Sequence, residues 1–236
     1  MKNTQISTIS LFKFSSLANK YWALKMMQSA KKDLNNTNGL SFYKLLGSGK
    51  KTGFNPLPDW SEYGLLQVWE SEKDANIFLN SSNLIKQYEI HSDNIFTIYM
   101  KNISAKGTWF NKQPFKKSGE MNPDLPIAVI TRATIKLHSL FKFWKYVPKS
   151  QLSLKENKGF IYTKGFGELP LIEMATFSLW DNFESLKKFA YGSKGHREAI
   201  KKTRINKWYK EELFARFQPY KSVGLWEGKD LLSIFK

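Results

Sequence analysis

The chain carries three histidines, His91, His138 and His196, and no cysteine. Without thiols there is no thiolate metal site, no disulfide and no cysteine nucleophile. No His-x-x-x-His or Glu-x-x-His pair occurs, so a histidine-rich zinc or non-haem iron site has no ligand set to draw on. A porphyrin brings four nitrogens to its iron, and one protein imidazole completes the minimum. The composition is therefore compatible with haem b and its iron. Neither a Ser-His-Asp order nor a Gly-x-Gly-x-x-Gly run opening a helix is present. Gly47-Ser48-Gly49-Lys50-Lys51 lacks the spacing and the following helix of a phosphate loop.

Among the histidines, His196 stands apart because the chain repeats itself. Gly39-Leu40-Ser41-Phe42-Tyr43-Lys44 is echoed by Gly159-Phe160-Ile161-Tyr162-Thr163-Lys164, and Gly64–Trp69 by Ala175–Trp180. Phe78 matches Phe189 in the same register, and that register sets His196 against Ile85. Both follow a helix interruption, Asn80-Ser81-Ser82 in one copy and Gly192-Ser193 with Gly195 in the other. An imidazole where the sister copy is apolar could bind a metal through one nitrogen, with the other held by an acceptor. It could equally be a capped or hydrogen-bonded histidine without a ligand. His91 lies near Asp93 at a helix end and reads as structural; His138 reads as surface.

Three basic residues are candidates for an anionic partner. Arg132 sits in an otherwise apolar or small strand and points with Ile130 and Thr134 on strict alternation. A buried arginine needs an anion: a propionate, a carboxylate, an iron-bound oxygen species, or a local Glu168 or Glu173. Arg216, in the last strand, invites the same reading. Lys164 is a candidate cofactor contact, although its recurrence as Lys44 points to architecture. Trp208 and Tyr209 read as core.

The elements that position these residues follow from periodicity. Ile6 to Phe14 alternates as a strand, Ser15 to Leu34 is helical, Gly39 to Leu46 and Tyr63 to Glu70 are strands, Glu72 to Glu89 is a helix, and Asn94 to Ile103 a strand. The second copy gives strand Ile127 to Ile135, helix Ser139 to Tyr146, strands Phe160 to Phe166 and Ile172 to Trp180, a helical stretch from Asn182 to about Lys210, and strand Glu212 to Gln218. This is β-α-β-β-α-β twice. The expected fold class is α+β, with two tandem ferredoxin-like repeats forming an α+β barrel. The halves are residues 1–120 and 126–236, joined by the turn-rich Met121–Pro126 segment, and the second carries the proposed haem ligand.

With 236 residues, 42% apolar and 15% aromatic, the chain can bury a sizeable core. Its formal charge of +17 is spread over scattered lysine pairs, with no dense basic tract or RNA-binding signature. The expected partners are a small apolar substrate and, through the basic surface, an anionic membrane in peripheral contact; no specific nucleic acid is expected, and a homodimer is compatible. With no signal-peptide pattern and no spanning apolar run, the expectation is a cytoplasmic protein, peripheral to the membrane if attached at all.

Several of these segments together resemble the spheroidene monooxygenase family. They are Thr131–Ile135, Phe143–Pro148, Lys164–Pro170, Ala175–Trp180, the stretch from Phe189 to His196, and Trp208–Phe217, with Gly39–Gly49 and Asn55–Trp60 in the first half. The likeness spans nearly the whole chain. It implies a carotenoid ketolase that inserts oxygen at an allylic carbon, with haem as cofactor, on a fold similar to the dimeric α+β barrel group. His196 occupies the histidine of the family's His-x-x-Ala-Ile stretch, and the resemblance makes it the expected iron ligand. Arg132 is carried over as a distal, catalytic group. The unusual lysine content leaves the substrate open. So do other readings: aldoxime dehydration or peroxide-driven oxidation on the same haem, a cofactor-free oxygenase, or a haem carrier without turnover.

Overall fold

The computed structural model describes residues 4–51, 53, 55–151, 158–192 and 194–233, with the side chains of 148–151, 194–196, 199 and 200 outside that description. Eight strands are β1 (Ile6–Lys13), β2 (Leu40–Gly49), β3 (Pro58–Trp69), β4 (Asn94–Gly107), β5 (Ile127–Ile135), β6 (Phe160–Leu169), β7 (Glu173–Trp180) and β8 (Tyr209–Gly224). The helices are α1 (Leu17–Asn35), α2 (Glu72–Ser81), α3 (Asn83–His91), α4 (Leu140–Gln151), α5 (Phe183–Lys187) and α6 (Lys194–Ile205). The strands close into an antiparallel α+β barrel in the order β1-β3-β2-β6-β7-β5-β8-β4. Within each half the strands lie fourth, first, third, second, and the halves join where β2 pairs with β6 and β4 with β8. Closure leaves no edge to aggregate.

Alternation decides the two faces. Ile9, Leu11, Leu66, Ile98, Ile130, Phe177 and Ala215 turn inward with their neighbours and fill one interior core shared by both halves. The outward side chains meet the helices. The interruption read in the first half is real: Ser82 is extended, ends α2 and caps α3 by accepting from the Ile85 N–H, so the expected single helix over 72–89 is two. In the second half, a π turn at Lys188–Gly192 separates α5 from α6, and a left-handed Lys207 (φ 45°) ends the helical run before Lys210. The last strand therefore starts at Tyr209 rather than Glu212. It is long because it pairs with β4 on one side and β5 on the other.

Candidate functional site

The barrel interior is filled by the core shared between the halves. A small void there, about 10 Å³ beside Trp109, Ile130 and Phe166, holds at most a single water. Each end is stoppered by a repeated motif. Gly107-Thr108-Trp109-Phe110-Asn111-Lys112 follows β4, and Gly224-Leu225-Trp226-Glu227-Gly228-Lys229 follows β8. In both, the Trp and Lys form an isolated β-bridge and the Trp packs into the core. The glycines have φ of 91° and 84°, and a Cβ at either would lie 2.1 Å from a carbonyl oxygen of the neighbouring strand. No side chain fits there.

Arg132 points into the barrel with Ile130, as alternation predicts, and is 1% exposed. Its principal partner is Glu211, which was not among the expected carboxylates; Glu173 lies 3.9 Å from Nη2. The guanidinium faces the rings of Phe110 (4.9 Å) and Trp109 (5.8 Å). Burial pushes the Glu211 carboxyl up. The backbone N–H of Asn111, the Thr108 hydroxyl, the backbone N–H of Phe110 and Arg132 outweigh it, setting the group at about 2. Glu173 is raised instead, by burial and then by Glu168. Glu168 accepts from Lys44 (2.5 Å) and from the Trp109 indole (2.6 Å). At the other end Lys164 is held by Asp59 (3.1 Å) and Glu62 (2.6 Å). A cleft of about 590 Å³ opens there beside Tyr162 and Trp226, but Lys51, Asp59, Glu62, Glu227 and Lys229 line it. Phe160, Ile161 and Leu231 line it as well, so its walls are mixed apolar and charged. Both lysines, related by the repeat, are thus tied to carboxylates of the barrel.

The difference between the halves lies on the outer face of the sheet. In the first half that face is filled: Phe12, Leu45, Tyr63, Leu65 and Trp69 form one continuous core with α1, α2 and α3. Its central residues Ser10, Leu65 and Gln67 are 0% exposed. At the corresponding positions of β5, β7 and β6, Ala133 stands for Phe12, Met174 for Tyr63, Thr176 for Leu65 and Gly165 for Leu45. Cross-strand register puts Phe214, Thr131, Thr176 and Gly165 in one row, and Arg216, Val129, Ser178 and Thr163 in the next. Thr131, Thr176 and Ser178 are only half-buried although they lie mid-sheet. The apolar packing above them splits into two clusters. Ile127, Val129, Trp180 and Leu186 form one; Ile135, Phe143, Val147, Met174 and Trp208 form the other. Among the described residues, small side chains at the centre and large ones on both flanks make a flat bed on this face of the sheet.

The sequence-predicted residues divide between the faces. Arg132 and Lys164 stand on the barrel side, turned away from the bed. Arg216 is on the bed's edge, its guanidinium 5.5 Å from the Phe183 ring and 5.0 Å from the Phe214 ring, and its buried Nε has no hydrogen-bond partner among the described residues. His196 lies on α6, in the helical layer of the same half, and its side chain is outside the described residues. Its repeat partner Ile85 is buried in the first-half core. His91 stacks on Trp22 and pairs with Asn19, and His138 is exposed, as expected for structural and surface histidines. Trp208 is core, as read, yet its buried indole N–H has no acceptor among the described residues. The half-buried hydroxyls of Thr131, Thr176 and Ser178, set in two adjacent rows, left no mark of their own in the sequence; the signal was the loss of large residues at corresponding positions.

No family model matches the chain. A spheroidene monooxygenase of Cereibacter sphaeroides is 36% identical over 227 residues, spanning 96% of this chain and 70% of that protein. A spheroidene monooxygenase of Rhodobacter capsulatus is 34% identical, spanning 97% and 95%. The chain belongs to the spheroidene monooxygenase family. Among solved structures, an aldoxime dehydratase crystallised with butyraldoxime superposes with a TM-score of 0.66 at 10% identity, covering 98% of this chain and 86% of that one. A second aldoxime dehydratase structure gives 0.64 at 12% identity, covering 94% and 84%. At that identity the likeness is one of fold, and it agrees with the closed α+β barrel.

Proposed function

We propose that the chain is a haem-dependent monooxygenase that inserts oxygen into an apolar, carotenoid-like substrate, with haem b on the stripped outer face of the second half. The two halves are read as a duplicated ferredoxin-like unit in which one copy kept its packed face and the other gave it up to a ligand. The observation that carries this reading is the replacement of Phe12, Tyr63, Leu65 and Leu45 by Ala133, Met174, Thr176 and Gly165 in the same sheet positions. The family names support monooxygenation of a carotenoid.

The residues present suit a flat apolar group with anionic edges. Small side chains make the floor, and the partnerless Arg216 Nε would meet a carboxylate. His196 on α6 would be the protein ligand to the metal. Haem, when bound, supplies the activation of dioxygen. The chain's own part is to exclude water with the two flanking apolar clusters and to orient an apolar substrate between them. Thr131, Thr176 and Ser178 offer the hydroxyls facing that space. Arg132, on the opposite face, is a positioning residue: its bond to Glu211 ties β5 to β8 beneath the bed.

Titration of the protein with haem tests this. A saturable Soret band is expected, with His196→Ala altering its position and weakening affinity, and turnover of a carotenoid in the presence of a reductant. A protein that takes up no haem rejects the reading.

A further inference from the structure

The C-terminal half carries an apolar patch that the fold does not explain. Leu137, in the turn after β5, is 71% exposed, and Phe141, one helical turn later on α4, is 82% exposed. The tip between β6 and β7 adds Leu169 and Leu171, at 49% and 40%. These are neighbours. Ile135 N–H donates to the Ile172 carbonyl, and the Trp144 indole donates to the Leu171 carbonyl at 3.2 Å, which joins α4 to the tip. Large apolar side chains grouped on one edge mark a contact surface.

The charge around the patch says what it contacts. Residues 136–151 include Lys136, Lys142, Lys145 and Lys149 and no acidic residue. Lys142 and Lys145 are exposed beside Phe141. Glu168, which follows the same strand to the tip, is neutralised by Lys44, and Glu173 lies toward Arg132. Protruding Phe and Leu, an indole and a lysine rim are the chemistry of an interfacial membrane contact: the rings enter the acyl boundary while the ammonium groups meet anionic headgroups. The chain's +17 charge acts in the same direction over longer range.

We propose that the edge formed by Leu137, Phe141, Trp144 and the Leu169–Leu171 tip docks on anionic bilayers. The stripped outer face described above belongs to the same half, so docking here would bring it next to the lipid phase that holds apolar polyenes. This purpose rests on the proposed function. The docking does not, and its test uses neither haem nor carotenoid.

The test is co-sedimentation with phosphatidylcholine vesicles, with and without about one part in four of phosphatidylglycerol. The protein is expected to bind the anionic vesicles, less so at high salt. Phe141→Asp should lower partitioning about tenfold, and Lys142→Gln with Lys145→Gln about thirtyfold on the anionic vesicles. Leu17→Asp, at an equally bare position (84% exposed) on α1, should change nothing. Far-UV circular dichroism checks that each exposed-site variant folds. The proposal is overturned if Phe141→Asp binds like the parent, or if Leu17→Asp is the variant that loses binding. It is also overturned if Phe141→Asp abolishes self-association in sedimentation velocity without changing vesicle binding, which would make the patch an interface between copies.

Discussion

Replacing Glu211 by Gln keeps the shape of the Arg132 site and removes its charge. Arg132 is 1% exposed and Glu211 15%, so the pair sits almost wholly out of water. The folded carboxyl titrates at about 2 against an ordinary 4.5. That difference corresponds to about 3 kcal/mol of stability favouring the ionised form. Its sign follows from the direction of the shift. The group's pKa is depressed by folding, so its contribution is complete above about pH 4.5 and is lost as pH falls toward 2. Removing the Glu211 charge also leaves the buried guanidinium with only Glu173, 3.9 Å away, and breaking a buried pair typically costs about 3–5 kcal/mol, which agrees in size. In urea unfolding at pH 7, Glu211→Gln should lose about 3 kcal/mol, equivalent to roughly 6–12 °C in Tm for a chain of this length. The gap between variant and parent should narrow in acid, as the parent's own carboxylate takes up its proton. A loss that is the same at pH 7 and pH 3, or no loss at all, would refute the electrostatic account of the pair.

Three further substitutions follow, two at the ends of the barrel and one in the turn between α5 and α6. Gly107→Ala places a Cβ 2.1 Å from the Glu212 carbonyl oxygen at φ 91°, so it should destabilise by more than about 2 kcal/mol in thermal or urea unfolding. Gly192→Ala, with open space around it, should stay within about 1 kcal/mol of the parent. Lys164→Met leaves Asp59 and Glu62 without their shared cation. Burial already pushes the Asp59 carboxyl up, and Ser61 and Lys164 hold it below its usual range. Without Lys164 it should rise, and acid unfolding should begin at a higher pH, read by circular dichroism across an acid titration.

Much of the architecture was legible because strand alternation and an internal echo point to the same elements. The register that set Phe78 against Phe189 and Ile85 against His196 also aligned the helix interruptions, and Ser82 does cap a new helix in the structure. The Gly-x-Trp-x-x-Lys stoppers escaped because they follow the strands. Their role depends on a left-handed glycine and an inward indole, neither of which leaves a periodic trace. Arg132 was read as a buried arginine that needs an anion, with a haem-side group or a local Glu168 or Glu173 as candidates. Glu173 lies 3.9 Å away, but the nearer carboxylate, Glu211, was missed because it reaches Arg132 from β8, which pairs with β5 only once the barrel closes. The bed was the least legible feature. Thr131, Thr176 and Gly165 are ordinary strand residues one at a time; they become a surface only when three strands set them in a row.

The bed can be filled with the residues the first half already uses. Thr176→Leu with Gly165→Leu restores the pattern of Leu65 and Leu45. Haem affinity by optical titration is predicted to drop at least about tenfold in a double variant that circular dichroism shows to be folded, since leucines would fill the face with apolar bulk. Unchanged haem affinity in a well-folded double variant would place the ligand elsewhere and contradict the assignment of this face.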